Sequence, residues 1–396
     1  MILLTWIGLL LTLVVLLGIS RWNLYLAMFT AALVLGLFTL PPLKVGLAFL
    51  GVLFDPGIVL LALVVAIIPL IGGGLEESGQ MEELVSNMRI GRRAFLASSP
   101  ALLGMLPMPG GALLSAPLVE RGGEEVDGAL KVAVNVWFRH ILYLVYPLGP
   151  ALIASAKVAG LEVYRVIPYL FPFLLLSLLL GYWFLLRKVD GRMDWAGDFS
   201  LKGLLVPLGI ILAAPGLDLL LKVTTSLSVG ELGTLAGVSL SLTLIAIIGR
   251  LRLSELGRIA REMRVWRFAL IILGMFFFLD VFQRSGAPKL LAELTLPPAV
   301  LCVVVGFLLG LVTGRIQAPA AIIIPIFAAG AKAVTPPLFA LIFYSIFLGY
   351  VLTPVHPCIS VSAEYFRVSM RDFLRVLVPP AALALLVTAV LAAFLC

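Results

Sequence analysis

The chain has 396 residues, of which 62% are apolar and 12% charged, and its net charge is +7. Soluble domains carry about 25% charged residues. With half that supply and a mean hydropathy of +1.16, a globular enzyme, a disulfide scaffold and a disordered hub are excluded, leaving an all-α polytopic membrane protein. A span needs about 20 mostly apolar residues, because the hydrocarbon layer is about 30 Å thick and a helix rises about 1.5 Å per residue. The N-terminal MILLTWIGLL has no basic leader and reads as a retained first span rather than a cleaved signal peptide. The next spans follow at 24–40, 57–75, 129–158 and 163–186. The second five fall at 203–222, 231–249, 267–284, 337–365 and 371–395. The fourth and ninth are too long for simple spans, and prolines interrupt each.

Two further apolar stretches, 94–119 and 298–330, carry helix-breaking residues at their centres: Pro107, Pro109, Gly110 and Gly111 in one, Gly314 and Pro319 in the other. Their halves are too short to cross a bilayer, so the expected form is a re-entrant hairpin lining a site. Ordinary kinked helices are the alternative. Charge placement supports the layout. With the N-terminus outside, the inner loops hold nineteen Lys and Arg: Arg21, five in 89–131, four in 187–202, six in 250–267 and three in 367–375. The outer loops hold seven, namely Lys44, Lys157, Arg165, Lys222, Arg284, Lys289 and Lys332. The positive-inside rule expects such a split, and it accounts for the isoelectric point near 9.4 without nucleic acid as a partner. Cys302, Cys358 and Cys396 are odd in number and far apart, which indicates neither a disulfide framework nor a thiolate metal site.

The two halves match internally. At a shift of 207 residues Tyr143, Pro147, Pro150 and Pro172 fall on Tyr350, Pro354, Pro357 and Pro379, and Ser78-Gly79 falls on Ser285-Gly286. About one proline coincidence is expected by chance. Both halves also run span, span, span, hairpin, broken span, span. A first repeat over 1–190 and a second over 195–396 would each cross five times, so the second would be inserted upside down, as in alternating-access transporters.

Broken helices leave orphan N–H groups that attract anions and orphan carbonyls that attract cations. Tyr146-Pro147-Leu148-Gly149-Pro150 and Thr353-Pro354-Val355-His356-Pro357 supply two such breaks. Arg139, in the fourth span, and Arg315, at the second hairpin tip, sit where an arginine costs about 2.5–3.5 kcal/mol, so each needs a partner or a wet cavity. Asn135, Arg139, Tyr143 and Tyr146 share one helix face. Two guanidiniums with few facing carboxylates point to an anionic ligand; snorkelling, or pairing with a carboxylate, is the structural alternative. The expected substrate site is Arg139 and Arg315 on the anionic groups, with hydrogen bonds from Asn135, Ser115, Thr313, Gln317 and Thr353. The hairpin tips, Gly110 and Gly111 among them, would act as gates. Asp280, read as the only acidic residue well inside a span, is a proton or sodium site or a partner of Arg284. His140 and His356 adjoin the breaks and suit proton coupling; a metal site built from two histidines is not expected.

The segment LPMPGGALLSAPLVE at 106–120 and the ten-span plan resemble the ion transporter superfamily of gluconate, citrate, dicarboxylate and arsenite carriers. The resemblance is greatest to its branch called domain of unknown function 401. It implies a scaffold, a mobile transport domain, an elevator-like motion and a homodimer. The Ser-Asn-Thr hairpin motif of the sodium-coupled dicarboxylate carriers is absent. The resemblance therefore carries neither dicarboxylate specificity nor sodium coupling.

The expected protein is a secondary transporter of a small organic or inorganic anion in the plasma (inner) membrane, with both termini outside. It would use a sodium or proton gradient, since no G-x-x-x-x-G-K-[ST] loop is present. A flippase for a lipid-linked phosphate and, less readily, an intramembrane enzyme are the alternatives; no H-E-x-x-H or paired aspartates support the latter. Alkaline-phosphatase fusions test the topology. A fusion at Lys332 is expected to be active and one at Asp190 inactive; equal signals would overturn the layout.

Overall fold

A computed structural model of the chain describes residues 2–20, 22–105, 111–193, 195, 198–227, 229–293, 297–330 and 333–395. Among these residues the regular elements are all helical. The first half contains α1 (Ile2–Ser20), α2 (Leu24–Thr39), α3 (Pro42–Phe54), α4 (Pro56–Glu77) and α5 (Gln80–Ser86). It continues with α6 (Arg92–Gly104), α7 (Gly111–Gly122), α8 (Gly128–Ile141), α9 (Pro150–Val158) and α10 (Val163–Gly181), which runs on as a π turn to Leu186. The second half contains α11 (Leu201–Thr224), α12 (Glu231–Ile248), α13 (Leu253–Glu262), α14 (Trp266–Arg284) and α15 (Ala287–Ala292). After a π segment, Val300–Val305, come α16 (Gly306–Thr313), α17 (Gln317–Gly330), α18 (Pro336–Leu352), α19 (Pro357–Tyr365) and α20 (Met370–Leu395). Proline opens α3, α4, α9, α18 and α19, the first-turn position where its missing N–H costs no helical bond.

Among the described residues eight helical stretches are long and apolar enough to cross a membrane. The expected second span is present as a 16-residue apolar helix, and the expected fourth is broken into α8 and α9. The protein is thus an all-α, multi-pass membrane protein. Four helices arise where loops were expected. Of these α3, with 13 residues, rises only about 20 Å and cannot span. Both hairpin regions consist of two short arms packed on each other, α6 with α7 and α16 with α17. The first tip, including Pro107, Pro109 and Gly110, lies outside the described residues.

Four helices of the first half have counterparts 207 residues later. Moved by 207 residues, the bounds 150–158 of α9 become 357–365, those of α19, while the starts of α2, α5 and α10 become the starts of α12, α15 and α20. Gly79 and Gly286, 207 apart, both turn the chain with a left-handed backbone, φ 71° and 75°, which glycine adopts without a Cβ clash.

Two lobes follow from the packing. The frame lobe joins α1–α5 to α11–α15, with α2 and α4 against α14 and α4 against α12. The core lobe joins α6–α10 to α16–α20 around α18, in which every residue from Leu338 to Leu352 is buried; a helix apolar on all sides takes the centre. Its bulk comes from Trp137, Phe138, Phe339, Phe343, Phe347 and Phe373. By contrast α1 turns Leu3, Leu10 and Val14 outward, as a lipid-facing helix does. The lobes touch where Ile153 and Ala154 of α9 and Ile322 and Ile326 of α17 enter the frame's core, and where Leu103, Tyr146 and Leu148 pack with α4, α11 and α12. At the base of the first hairpin, Arg93 binds the linker between the halves through the Val189 carbonyl (2.6 Å) and Asp190 (2.7 Å).

Each hairpin lies tightly on its broken helix. A Cβ on Gly104 would fall 1.7 Å from the carbonyl oxygen of Arg139, and one on Gly310 would fall 2.3 Å from that of Ile346. Arg139 and Ile346 are themselves 207 residues apart. Because the neighbour is backbone, it cannot swing aside. Gly104→Ala is expected to destabilise the protein by about 1–3 kcal/mol through overpacking, read as a lowered unfolding midpoint of the purified chain. Gly46→Ala, whose Cβ would meet nothing within 4 Å, should leave it unchanged.

Candidate functional site: a cavity at the helix breaks

The first break runs from α8 through a short 3₁₀ turn, Leu142–Leu144, to α9. Pro150 occupies the first helical position, and Gly149 ahead of it provides no side-chain cap. The first bond back runs from the Ile153 N–H to the Gly149 carbonyl, 3.0 Å. The amides of Ala151 and Leu152 therefore remain as orphan donors at the positive end of a helix. The second break differs. His356 caps α19, its Nδ1 accepting the Cys358 amide at 2.9 Å, so this helix start is closed by its own chain.

A cavity of about 130 Å³ lies where the first break, the second hairpin tip and the frame lobe meet. Gly149 to Leu152, Tyr143 and Tyr350 line it from one direction, and Arg315, Ile316 and Gln317 from another. Gly314 makes the tip possible. It ends α16 with φ +60°, a left-handed cap that glycine tolerates, and its Cα packs close to Thr353, Val355 and His356. The Thr313 hydroxyl donates to the Leu309 carbonyl at 2.7 Å and accepts the Arg315 amide at 3.3 Å, and the Thr353 hydroxyl accepts the Val355 amide at 3.3 Å. These two threonines shape the tip and the break. The half-buried Arg315 side chain has no carboxylate partner among the described residues.

Arg139 sits one layer behind. It is 3% exposed, its Nη1 donates to Ser115 at 3.2 Å, and its Nε has no hydrogen-bond partner among the described residues. Asn135, one turn earlier, donates to Ser362 of α19 at 2.9 Å while its Oδ1 is unpartnered. Gly111, at the start of α7, is buried beside this layer. The charges of Arg139 and Arg315 both act on Tyr350, His356 and Cys358, so the two guanidiniums flank one locus. His140 and His356 meet there with ring centroids 4.8 Å apart, His140 edge-on to Tyr143 and Tyr350.

Among the described residues, His140, His356 and Cys358 are grouped as a metal site would be, their ligand atoms within 4.8 Å of one another. The hydrogen bonds argue against that use. With Nδ1 spent on the Cys358 amide, His356 carries its proton on Nε2, which bonds the Tyr350 hydroxyl. It has no lone pair left for a metal. His140 donates from Nδ1 to the Val136 carbonyl at 2.6 Å, leaving Nε2 a bare acceptor. One imidazole and one thiol beside two guanidiniums do not make a cation site.

Asp280 is not brought to the cavity. It pairs with Arg284 at 2.8 Å, two helical turns beyond the lining residue Ile272. The expectation that it is the only acidic residue well inside a span needs correcting. Asp218 of α11 is 2% exposed and bonds Lys222, Thr234 and Tyr164 at 2.9–3.0 Å. Its position four residues before Lys222 was the available signal, since i,i+4 pairs share a helix face. Tyr350 and Cys358 were likewise not foreseen as site residues, although the coincidence of Tyr143 with Tyr350 at a shift of 207 marked the pair.

A solved structure similar to this chain in fold is the crystal structure of the YdaH transporter of Alcanivorax borkumensis. The two share 16% sequence identity, with a TM-score of 0.63 over 95% of this chain and 97% of that one. At that identity the likeness establishes a shared fold. No curated protein matches by sequence. The family profile described as protein of unknown function (DUF401) matches residues 4–395, and the chain therefore belongs to that family.

Proposed function

We propose that the chain is a secondary active transporter of a small anion and not an enzyme. Its core lobe would carry the ligand past the frame lobe in an elevator-like movement, and its halves would be inverted repeats of the kind found in the ion transporter superfamily. The observation that carries this reading is Arg315. A guanidinium with no carboxylate partner among the described residues faces a cavity at the seam of two lobes, opposite the uncapped start of α9. An anion there receives a planar fork and helix-terminal amides together. Arg139 reinforces the positive field from behind, and Asn135, Ser115, Thr313, Gln317 and Thr353 hold the surrounding turns in register or complete the ligand's hydrogen bonds. That the similarly folded YdaH protein is a transporter agrees with this reading.

For the coupling ion we propose the proton. No carboxylate lines the cavity among the described residues, so a sodium ion there would have only neutral oxygens to hold it against the repulsion of the Arg315 guanidinium. His140 stands next to the cavity tyrosines with its Nε2 unpartnered among the described residues and so open to a proton, whereas His356 beside it has committed both ring nitrogens. The groups around them are Tyr143, Tyr350, Cys358, Arg139 and Arg315.

Uptake into proteoliposomes tests both parts. Arg315→Ala is expected to lower apparent affinity about 10- to 150-fold, the loss of charge-assisted hydrogen bonds worth about 1.5–3 kcal/mol, with unchanged membrane abundance. Asp280→Asn should stay within about twofold, since an exposed ion pair contributes little, and Cys358→Ala should retain uptake, which a thiol-based covalent reaction would not. An imposed pH gradient should drive uptake where a sodium gradient does not. Undiminished uptake by both Arg139→Ala and Arg315→Ala would refute the assignment.

A further inference from the structure

The cavity has two unlike walls. Among the described residues every polar side chain on it, Arg315, Gln317, Tyr143 and Tyr350, comes from the core lobe, as does the first turn of α9. The frame lobe contributes Leu24, Val65, Phe268, Ile271 and Ile272, a surface without a hydrogen-bonding side chain. Only one guanidinium lines the space, because Arg139 lies behind and bonds Ser115. The second broken helix offers no further anion seat, since His356 already caps it. The site therefore holds one negative charge on its core-lobe side and only hydrocarbon opposite.

From this geometry, and resting on the anion-transport reading above, we infer that the ligand is a small monocarboxylate with an apolar tail. Its carboxylate would lie between Arg315 and the amides of Ala151 and Leu152, and its tail against Phe268 and the neighbouring aliphatic side chains. A second carboxylate, or the remaining oxygens of a phosphate or sulfate, would be pressed without partners against that wall, which buried charge does not tolerate. Size narrows the class. A cavity of about 150 Å³ lined by Leu, Ile and Phe accepts benzene, and this one, at about 130 Å³, accommodates about five or six non-hydrogen atoms by the same measure. That corresponds to a carboxylate carrying about two or three further carbons.

The test is competition for binding to the purified full-length chain in lipid nanodiscs, using acetate, propionate, butyrate, pentanoate and hexanoate beside succinate, citrate, phosphate and sulfate. Affinity should rise about fourfold per added methylene, the equivalent of ~0.8 kcal/mol, until the cavity is full. Succinate should bind at least about tenfold more weakly than butyrate, although it adds only a second carboxylate. Phe268→Ala, which deepens the apolar wall, should move the optimum to a longer chain while leaving the dependence on Arg315 intact. A flat response along the series, or tighter Arg315-dependent binding of succinate, citrate, phosphate or sulfate, would overturn the monocarboxylate inference and leave anion transport standing. Binding of none of these anions, or binding indifferent to Arg315→Ala, would remove both.

Discussion

Peptide N–H and C=O groups left without partners in hydrocarbon cost several kcal/mol each, and the architecture follows from where this chain interrupts its helices. Four interruptions separate α6 from α7, α8 from α9, α16 from α17 and α18 from α19. All four belong to the core lobe, which surrounds the fully buried α18. The second hairpin tip is seated against the second break through Gly314, so the irregular backbone of one covers that of the other. The second arms cross between the halves, α7 onto α19 and α17 onto α9. The long transmembrane helices of the frame lobe, α1, α4, α11, α12 and α14, run unbroken. They can border lipid because their backbones are satisfied internally, apart from the carbonyls that Pro69 of α4 and Pro207 and Pro215 of α11 leave without a helical donor.

Several helix bounds of the two halves recur at an offset of 207 residues, yet the residues at that offset differ in their chemistry. At equivalent positions 207 residues apart, Gly149 stands against His356, Arg139 against Ile346 and Met108 against Arg315. The first pair decides which helix start is open: glycine leaves the amides of α9 unclaimed, whereas histidine closes α19 with its ring. The other two pairs place one cation in each half at different depths, Arg139 packed behind and Arg315 at the cavity. A charge needed only to brace the fold would be expected twice. Arg315, beside the uncapped start of α9, concentrates the positive potential at one end of the cavity.

Much of this was legible in the sequence because hydrophobic length and proline position are local signals. Pro150 and Pro357 marked the starts of α9 and α19 to the residue, and a run of about 20 apolar residues is hard to mistake. The short helices were not legible: α3 is apolar but too short to register as a span, and α13 and α5 are brief segments stabilised by what they pack against. Contacts between distant elements escaped for a related reason. Nothing near Asn135 in sequence announces Ser362, and nothing near Asp218 announces Tyr164. The two arginines were visible because a charge within an apolar run is conspicuous. The aliphatic wall opposite them was not, because Leu24, Val65, Phe268, Ile271 and Ile272 look like any other membrane-spanning residues until the fold brings them together.

That wall bears on how a carrier of this design would avoid leaking. Under the proposed movement an empty core lobe would take the Arg315 guanidinium, with no carboxylate partner among the described residues, past Leu24, Val65 and Phe268. An uncompensated charge in such surroundings costs several kcal/mol. A bound monoanion cancels that charge and lays its own apolar part against the aliphatic surface, so the loaded lobe faces the wall as a neutral, partly apolar unit. A dianion would restore a net charge of opposite sign and the same penalty. Under that proposal Arg315 and the aliphatic frame wall would act together: one would set the charge to be neutralised, and the other would make neutrality the condition for passage.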